Sequence, residues 1–290
     1  MIQLIRLGYA CLNTQLPALK TCRWATYQSK GIAYLRELAL HNLSTTLTMI
    51  RWNIERDILV FRMSSDLIPF ASKRELTWSW YEEERLLQLT EAIRKEVLDS
   101  GMRLSMHPGQ YTILNSPRST VVEDAIADLS YHATLLKLCG GTDMIIHLGG
   151  VYGDKKASMD RFVERAKKLS PEILSYLRIE NDDKVYTAED VLLISKRTGI
   201  PVVVDLHHEH CNPSSVALEK LLPDLLATWG TKRPKIHISS GRDHNRDRKH
   251  ADFITLEDWQ EVLTLFANVD VDVMIEAKEK EQALLRLRSQ

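Results

Sequence analysis

The sequence predicts an α/β fold, a single (β/α)8 TIM barrel with residues 1–290 as one domain. Three observations predict it. Eight short apolar runs are spread along the chain, segments with helical spacing separate them, and glycines stand where the helices should end. An open doubly wound sheet is the competing topology.

The apolar runs are Leu4–Leu7, Leu59–Met63, Met102–Met106, Met144–Leu148, Leu177–Ile179, Val202–Leu206, Lys235–Ile238 and Val271–Ile275. They are nearly all apolar, as parallel strands covered on both faces should be. The stretch from Leu12 to Ile58 is longer than one helix needs and is expected to hold two. Leu86, Leu89, Ile93 and Val97 form a helical stripe. Val122, Ile126, Leu129, Ala133 and Leu136 form a second, and Leu218, Leu221, Leu222, Leu225 and Trp229 a third. Gly101, Gly140, Gly199 and Gly230 precede strands, where left-handed geometry ends a helix. Ser170-Pro171 reads as an N-cap with proline in the first helical position. Thr187–Asp190 is close to a capping box, with Asp in place of Glu.

Composition narrows the function. The 290 residues are 44% hydrophobic and 27% charged, an ordinary globular balance. No apolar run approaches the ~20 residues that span a bilayer, so no membrane partner is expected. Met1–Arg6 lacks a basic segment followed by a long apolar core, so no signal peptide is expected. Cys11, Cys22, Cys139 and Cys211 have no Cys-x-x-Cys spacing and read as reduced thiols of a cytoplasmic protein. Thirty-eight basic and thirty-nine acidic residues give a formal charge of −1. That argues weakly against nucleic acid, since binders usually carry a basic excess. It leaves open a local basic face, or positive charge supplied by bound metal.

Active sites of such barrels form at the C-terminal strand ends. Six consecutive predicted strands carry His, Asp or Glu there: His107, His147, Glu180, Asp205 with His207 and His208, His237 with His250 in its following loop, and Glu276. Any one alone reads as a hydrogen-bonded core histidine or an ion pair. Together they would converge on one axis, where three carboxylates repel and resist ionisation. Divalent cations remove that conflict, and mixed imidazole and carboxylate ligands suit Mn, Fe, Co or Zn. Lys235 shares a strand face with His237. Outward, its ammonium would snorkel to water. Inward beside metals it would have to be neutral or carbamylated, and spacing leaves both open. A multinuclear site suits in-line phosphoryl chemistry and sugar isomerisation alike.

The motifs are Arg6-Leu7-Gly8-Tyr9, Ser64–Phe70, Met106–Tyr111, Ile146–Gly150, Glu180-Asn181-Asp182, Asp205–His208, Pro234–His237 and Ile275–Lys278. With these the chain resembles the UV damage endonucleases, relatives of the endonuclease-IV-like and xylose-isomerase-like barrels. The resemblance covers nearly the whole chain. It implies incision immediately 5′ to a UV photoproduct (cyclobutane pyrimidine dimer or 6-4 photoproduct), leaving 3′-hydroxyl and 5′-phosphate ends. It implies up to three divalent ions, Mn²⁺ favoured. The implied ligands are His107, His147, Glu180, Asp205, His208, His237, His250 and Glu276, which chooses His208 over His207. Lys235 falls on a lysine that can be carboxylated, so Glu180, Lys235 and Glu276 are the expected catalytic residues.

Gln110 and Tyr111 fall on the pair that probes the duplex at the lesion. An enzyme that extrudes a stacked dinucleotide must fill the gap, and a ring and an amide can do so. Tyr9 and Asn13 look like lesion-pocket residues. Arg242, Arg246, Arg248 and Lys249 share the loop that supplies His250, where phosphate contacts would make binding salt-dependent. The expected partner is double-stranded DNA carrying UV lesions, met by a monomer in the cytoplasm or at its nucleoid. An abasic-site endonuclease, a metal-dependent sugar isomerase and a non-catalytic damage binder are the competing functions.

Overall fold

The computed structural model describes residues 5–290. Leu4, expected in the first strand, lies outside them. The strands are β1 (Ile5–Cys11), β2 (Val60–Met63), β3 (Arg103–Met106), β4 (Asp143–His147), β5 (Leu177–Glu180), β6 (Val202–Asp205), β7 (Lys235–Ile238) and β8 (Val271–Ile275). All pair in parallel with their sequence neighbours, and β8 pairs with β1, closing the barrel. The open doubly wound sheet is thereby excluded.

Helices α1 (Trp24–Ile54), α2 (Glu84–Ser100) and α3 (Ser119–Cys139) follow the first three strands, and α4 (Lys155–Ala166) and α5 (Pro171–Tyr176) both lie between β4 and β5. Helices α6 (Ala188–Thr198), α7 (Leu206–Cys211), α8 (Leu218–Ala227), α9 (Leu256–Leu265) and α10 (Lys280–Arg288) follow. The expected pair before β2 is α1, broken at Gly31, where φ is 71° and ψ −172°. Local chemistry sets the other boundaries. Thr187 and Asp190 close a reciprocal capping box at α6, and the Ser170 hydroxyl accepts from the Ile173 N–H above Pro171. Gly101, Gly140 and Gly199 end α2, α3 and α6 in the left-handed region.

Two readings are corrected. In α3 the buried stripe runs through Val122, Ala125, Leu129, Ala133 and Leu136, and Ile126 is exposed. The strands are also less apolar than expected. Their outward residues, such as Ile236 and Ile179, build the sheet–helix core, but their inward residues carry charge at both ends.

Inward orientation follows from contacts between strands that are not neighbours. Lys235 of β7 meets Asp143 of β4, and His237 of β7 meets Glu180 of β5. The interior is thus layered. At the base, Arg103, Asp143, Arg178, Lys235 and Asp272 form a closed ionic cluster, with the Trp229 ring against the two arginines. Apolar residues lie above it: Ala10, Val60 and Met274 on one side, Ile145 and Val203 on the other. The strand-end histidines and carboxylates form the top.

Candidate metal centre at the barrel mouth

Glu180 is the hub. Its Oε1 is 2.7 Å from His237 Nδ1, and its Oε2 lies 2.9 Å from His107 Nε2 and 3.7 Å from His147 Nε2. Glu276 joins through its Oε1, 3.2 Å from the same His237 nitrogen. Asp205, at the end of β6, caps α7 by accepting from the His208 N–H at 2.8 Å. The His208 ring then stands 3.8 Å from Asp205 Oδ2 and 3.9 Å from Glu180 Oε1. Two groups of these residues, His107–His147–Glu180 and Glu180–Asp205–His237–Glu276, hold ligand atoms within 4.8 Å of one another. Six of the eight residues expected as ligands therefore fall in two groups that share Glu180, and His208 adjoins both through Glu180 and Asp205.

The eighth, His250, comes from the loop after β7, and its Nδ1 is 2.7 Å from the Glu276 carbonyl. His207 turns away from the centre. Its Nε2 faces the Asp247 carbonyl at 3.0 Å, which ties α7 to the basic loop.

Two features fit these side chains to divalent ions. His107, His208 and His250 each direct Nδ1 at a main-chain carbonyl, of Pro108, Asn181 and Glu276. A carbonyl only accepts, so Nδ1 donates to it and Nε2 is the nitrogen left for an ion to coordinate once any proton it carries is displaced. Asp205 Oδ2, His147 Nδ1 and His237 Nε2 are buried without a hydrogen-bond partner, an arrangement that is costly unless something else satisfies them.

The charges agree. Burial works against ionisation of Glu180, but the imidazoles of His237, His147 and His107 hold it well below the usual carboxylate range. Burial likewise opposes ionisation of Glu276, and Arg62 and His237 outweigh it. Burial lowers His208, yet Asp205, Glu180 and Glu276 push it up to about 9. Among the described residues one guanidinium joins these imidazoles in offsetting the three carboxylates, that of Arg62, which pairs with Glu276 Oε1.

Lys235 lies inward and is fully buried, but it belongs to the base. Two residues before His237 it sits about 6–7 Å deeper along the strand. Its Nζ is 3.1 Å from Asp143 Oδ2. Burial lowers it and Asp143 opposes, leaving it at about 8. The snorkelling orientation is excluded.

The DNA-facing residues divide. Gln110 and Tyr111 are exposed in the loop after β3, Tyr111 by 81%. Gln110 lines a cavity of about 310 Å³ together with His147, Asp182 and Lys184, beside the centre. Tyr111 lines one of about 460 Å³ with Lys73 and Arg74. Arg242, Arg246, Arg248 and Lys249 are all exposed.

Tyr9 and Asn13 are not at the mouth in this structure. Tyr9 has no exposed surface and points outward from β1 against Phe61, donating from its hydroxyl to Asn53 Oδ1 at 2.7 Å. Asn13 is buried and donates to the same hydroxyl at 2.9 Å. Strand parity is the reason. Leu7 and Tyr9 share the outward face, while Gly8 and Ala10 face inward.

The base cluster and Arg62 were missed in the sequence. Their signal is a charged residue alternating with apolar ones, as in Leu177-Arg178-Ile179-Glu180 and Val60-Phe61-Arg62-Met63.

Comparison with known proteins places the chain. The family model described as UV-endonuclease UvdE matches residues 5–290. The chain belongs to the UvdE family. A UV DNA damage endonuclease of Bacillus velezensis is 35% identical over 303 residues, covering 98% of this chain and 93% of the relative. The crystal structure of SacUVDE superposes with a TM-score of 0.90 at 34% identity, covering 97% and 96% of the two chains. Endonuclease IV of Thermus thermophilus, at 14% identity and a TM-score of 0.64 over 98% and 97% of the chains, shares the fold alone. Among the described residues no helix is long and apolar enough to cross a membrane.

Proposed function

We propose that this chain is an endonuclease that cuts DNA immediately 5′ to UV photoproducts, leaving 3′-hydroxyl and 5′-phosphate ends. The observation that carries the reading is the strand-end constellation of Glu180, Asp205 and Glu276 among His107, His147, His208, His237 and His250, in a chain of the UvdE family. These side chains would hold divalent ions, Mn²⁺ favoured and up to three. Bound there, such ions would activate the attacking water and stabilise the leaving oxygen.

The chain's own groups do the rest. The main-chain carbonyls hold His107, His208 and His250 by Nδ1, so that Nε2 is the nitrogen each would offer to an ion. Tyr111 and Gln110, exposed beside the centre, fill the gap left by an extruded dinucleotide, the ring by stacking and the amide by hydrogen bonding. Arg242, Arg246, Arg248 and Lys249 neutralise phosphates next to the loop end that carries His250. Tyr9 and Asn13 would reach a lesion only after β1 and its loop rearrange. They serve first as the wall behind the site.

Carboxylation of Lys235 belongs to the same proposal. An amine at about 8 is partly neutral at neutral pH, and the neutral form reacts with carbon dioxide. A C–N bond forms, the nitrogen releases one proton to solvent, and the resulting carbamate anion would have to leave the Asp143 pair. We further propose a monomer acting on duplex DNA in the cytoplasm.

The test is a nicking assay on one end-labelled duplex in undamaged, UV-irradiated and abasic forms, each with Mn²⁺ or EDTA. The reading expects a Mn²⁺-dependent cut 5′ to the photoproduct and intact undamaged DNA. Cutting at the abasic site alone would overturn it in favour of an abasic endonuclease. Turnover of D-xylose or related sugars without nicking would overturn it in favour of an isomerase.

A further inference from the structure

Arg62 is unlike every other buried cation of the barrel. Arg103, Arg178 and Lys235 sit at the base, where Asp143 and Asp272 answer them. Arg62 sits at the top. Its Nη1 pairs with Glu276 Oε1, and its Nε is buried without a hydrogen-bond partner. Among the described residues no other lysine or arginine side chain forms an ion pair with Glu180, Asp205 or Glu276.

The barrel wall is shaped to allow this contact. Arg62 is on β2 and Glu276 follows β8, so β1 lies between them. The β1 residue level with Arg62 is Ala10, and the inward residue below it is Gly8. A Cβ at Gly8 would stand 2.2 Å from the Val60 carbonyl oxygen, so only glycine fits. With Ala10 and Gly8 on the inner face of β1 at this level and just below it, the guanidinium crosses the strand to reach the carboxylate.

We propose that Arg62 is a positioning residue that holds Glu276 as a one-oxygen ligand. Oε1 is engaged by Arg62, and by His237 at 3.2 Å, which leaves Oε2 to face an ion. A carboxylate free of that contact could turn and chelate with both oxygens. It would then bind metal more tightly and occupy a coordination position that water or phosphate needs. A guanidinium suits the task because it keeps its charge at every working pH and holds a fixed planar geometry. The inference rests on the metal-dependent incision proposed above.

The test compares wild type, Arg62→Met and Arg62→Lys by Mn²⁺ titration and by steady-state nicking of the UV-irradiated duplex. Arg62→Met should lower kcat about 10- to 100-fold, the usual cost of losing an outer-shell partner, with KM for damaged duplex little changed. Its Mn²⁺ affinity should stay the same or rise, because a cation has been taken from beside the ions. Arg62→Lys keeps the charge without the planar fork, and should recover part of kcat with wild-type Mn²⁺ affinity. A residue that only supports the fold would give the opposite pattern, with Mn²⁺ affinity and kcat falling together, and that result overturns the proposal. Wild-type kcat in Arg62→Met also overturns it. If Arg62→Met does not fold, Arg62→Lys decides, since undiminished kcat there would exclude a need for guanidinium geometry. Failure of wild type to nick damaged DNA would instead sink the functional reading, and Mn²⁺ affinity in the Arg62 variants would still report on Glu276.

Discussion

The two ends of the barrel interior carry the same kinds of residue and opposite balances. At the base, Arg103, Arg178 and Lys235, helped by the more exposed Arg6, surround Asp143 and Asp272, and the carboxylates are answered by protein cations. At the mouth, among the described residues, Arg62 is the one lysine or arginine paired with Glu180, Asp205 or Glu276, the other partners being histidines, and three ligand atoms have no hydrogen-bond partner. Both layers are built by inward alternation on the same strands, Lys235 with His237, Asp143 with His147, Arg178 with Glu180. The difference lies in what completes each layer. The base carboxylates are paired with cations of the chain itself, although Lys235 Nζ makes its ion pair without a well-directed hydrogen bond, and the layer serves stability. The mouth is short of positive charge and is suited to ions and to the phosphates they attract.

The comparison breaks most visibly at Glu180. Glu180→Ala should reduce nicking on the order of a thousandfold or more, equivalent to ~4 kcal/mol of barrier, while lesion binding partly survives. Glu276→Ala should act in the same direction. Single-turnover nicking and a gel-shift assay on the same variants check this, and unchanged nicking in both would remove them from the site.

Asp143→Asn should do the reverse. It leaves Arg103, Arg178 and Lys235 short of a buried partner, which costs about 3–5 kcal/mol of stability, and Mn²⁺ bound per folded molecule should not change. The pH dependence has a definite sign. Burial would raise the Asp143 carboxyl, but Lys235 and Arg103 hold it far below the usual range. A depressed carboxylate contributes stability above its unfolded value of about 3.9 and loses it as pH falls through the folded value. The gap between wild type and Asp143→Asn in denaturant melts should therefore be full from pH 5 to 7 and narrow below about pH 4. A gap constant down to pH 2 would contradict the assignment.

Smaller effects lie outside the barrel. Tyr111→Ala should cost about 1–3 kcal/mol of preference for damaged over undamaged duplex, the worth of one stacked base, with metal content unchanged. Competition binding measures it, and a retained preference would refute the probing role. Arg248 also contacts Asp183 in the loop after β5, so it is partly held in place before DNA arrives. Arg248→Ala should reduce the slope of log affinity against log salt by about one and leave lesion preference intact.

Much of this was legible in the sequence. β7 and β8 have the predicted bounds because each carries branched apolar residues on its outward face, and Pro234, which has no N–H to donate, stands just before β7. The strand-end histidines and carboxylates were legible because the barrel brings every strand end to one axis. β1 was cut short at Leu7, since Gly8 and Ala10 do not read as strand until the close approach of Val60 requires them. Tyr9 was misplaced because its ring suggests a mouth residue, while strand parity with Leu7 turns it outward. The base cluster and Arg62 depend on contacts between strands far apart in sequence. A charged residue within an apolar run shows only that something answers it, and barrel closure decides what.

The central claim is that the mouth, and not the base, is the metal-binding end. Calorimetric titration of the metal-stripped protein with Mn²⁺, run on wild type, Glu180→Gln and Asp143→Asn, tests it most directly. Saturable binding in wild type, lost or severely weakened in Glu180→Gln and kept by the folded fraction of Asp143→Asn, is the predicted result. Binding that survives in Glu180→Gln and disappears in folded Asp143→Asn would contradict it.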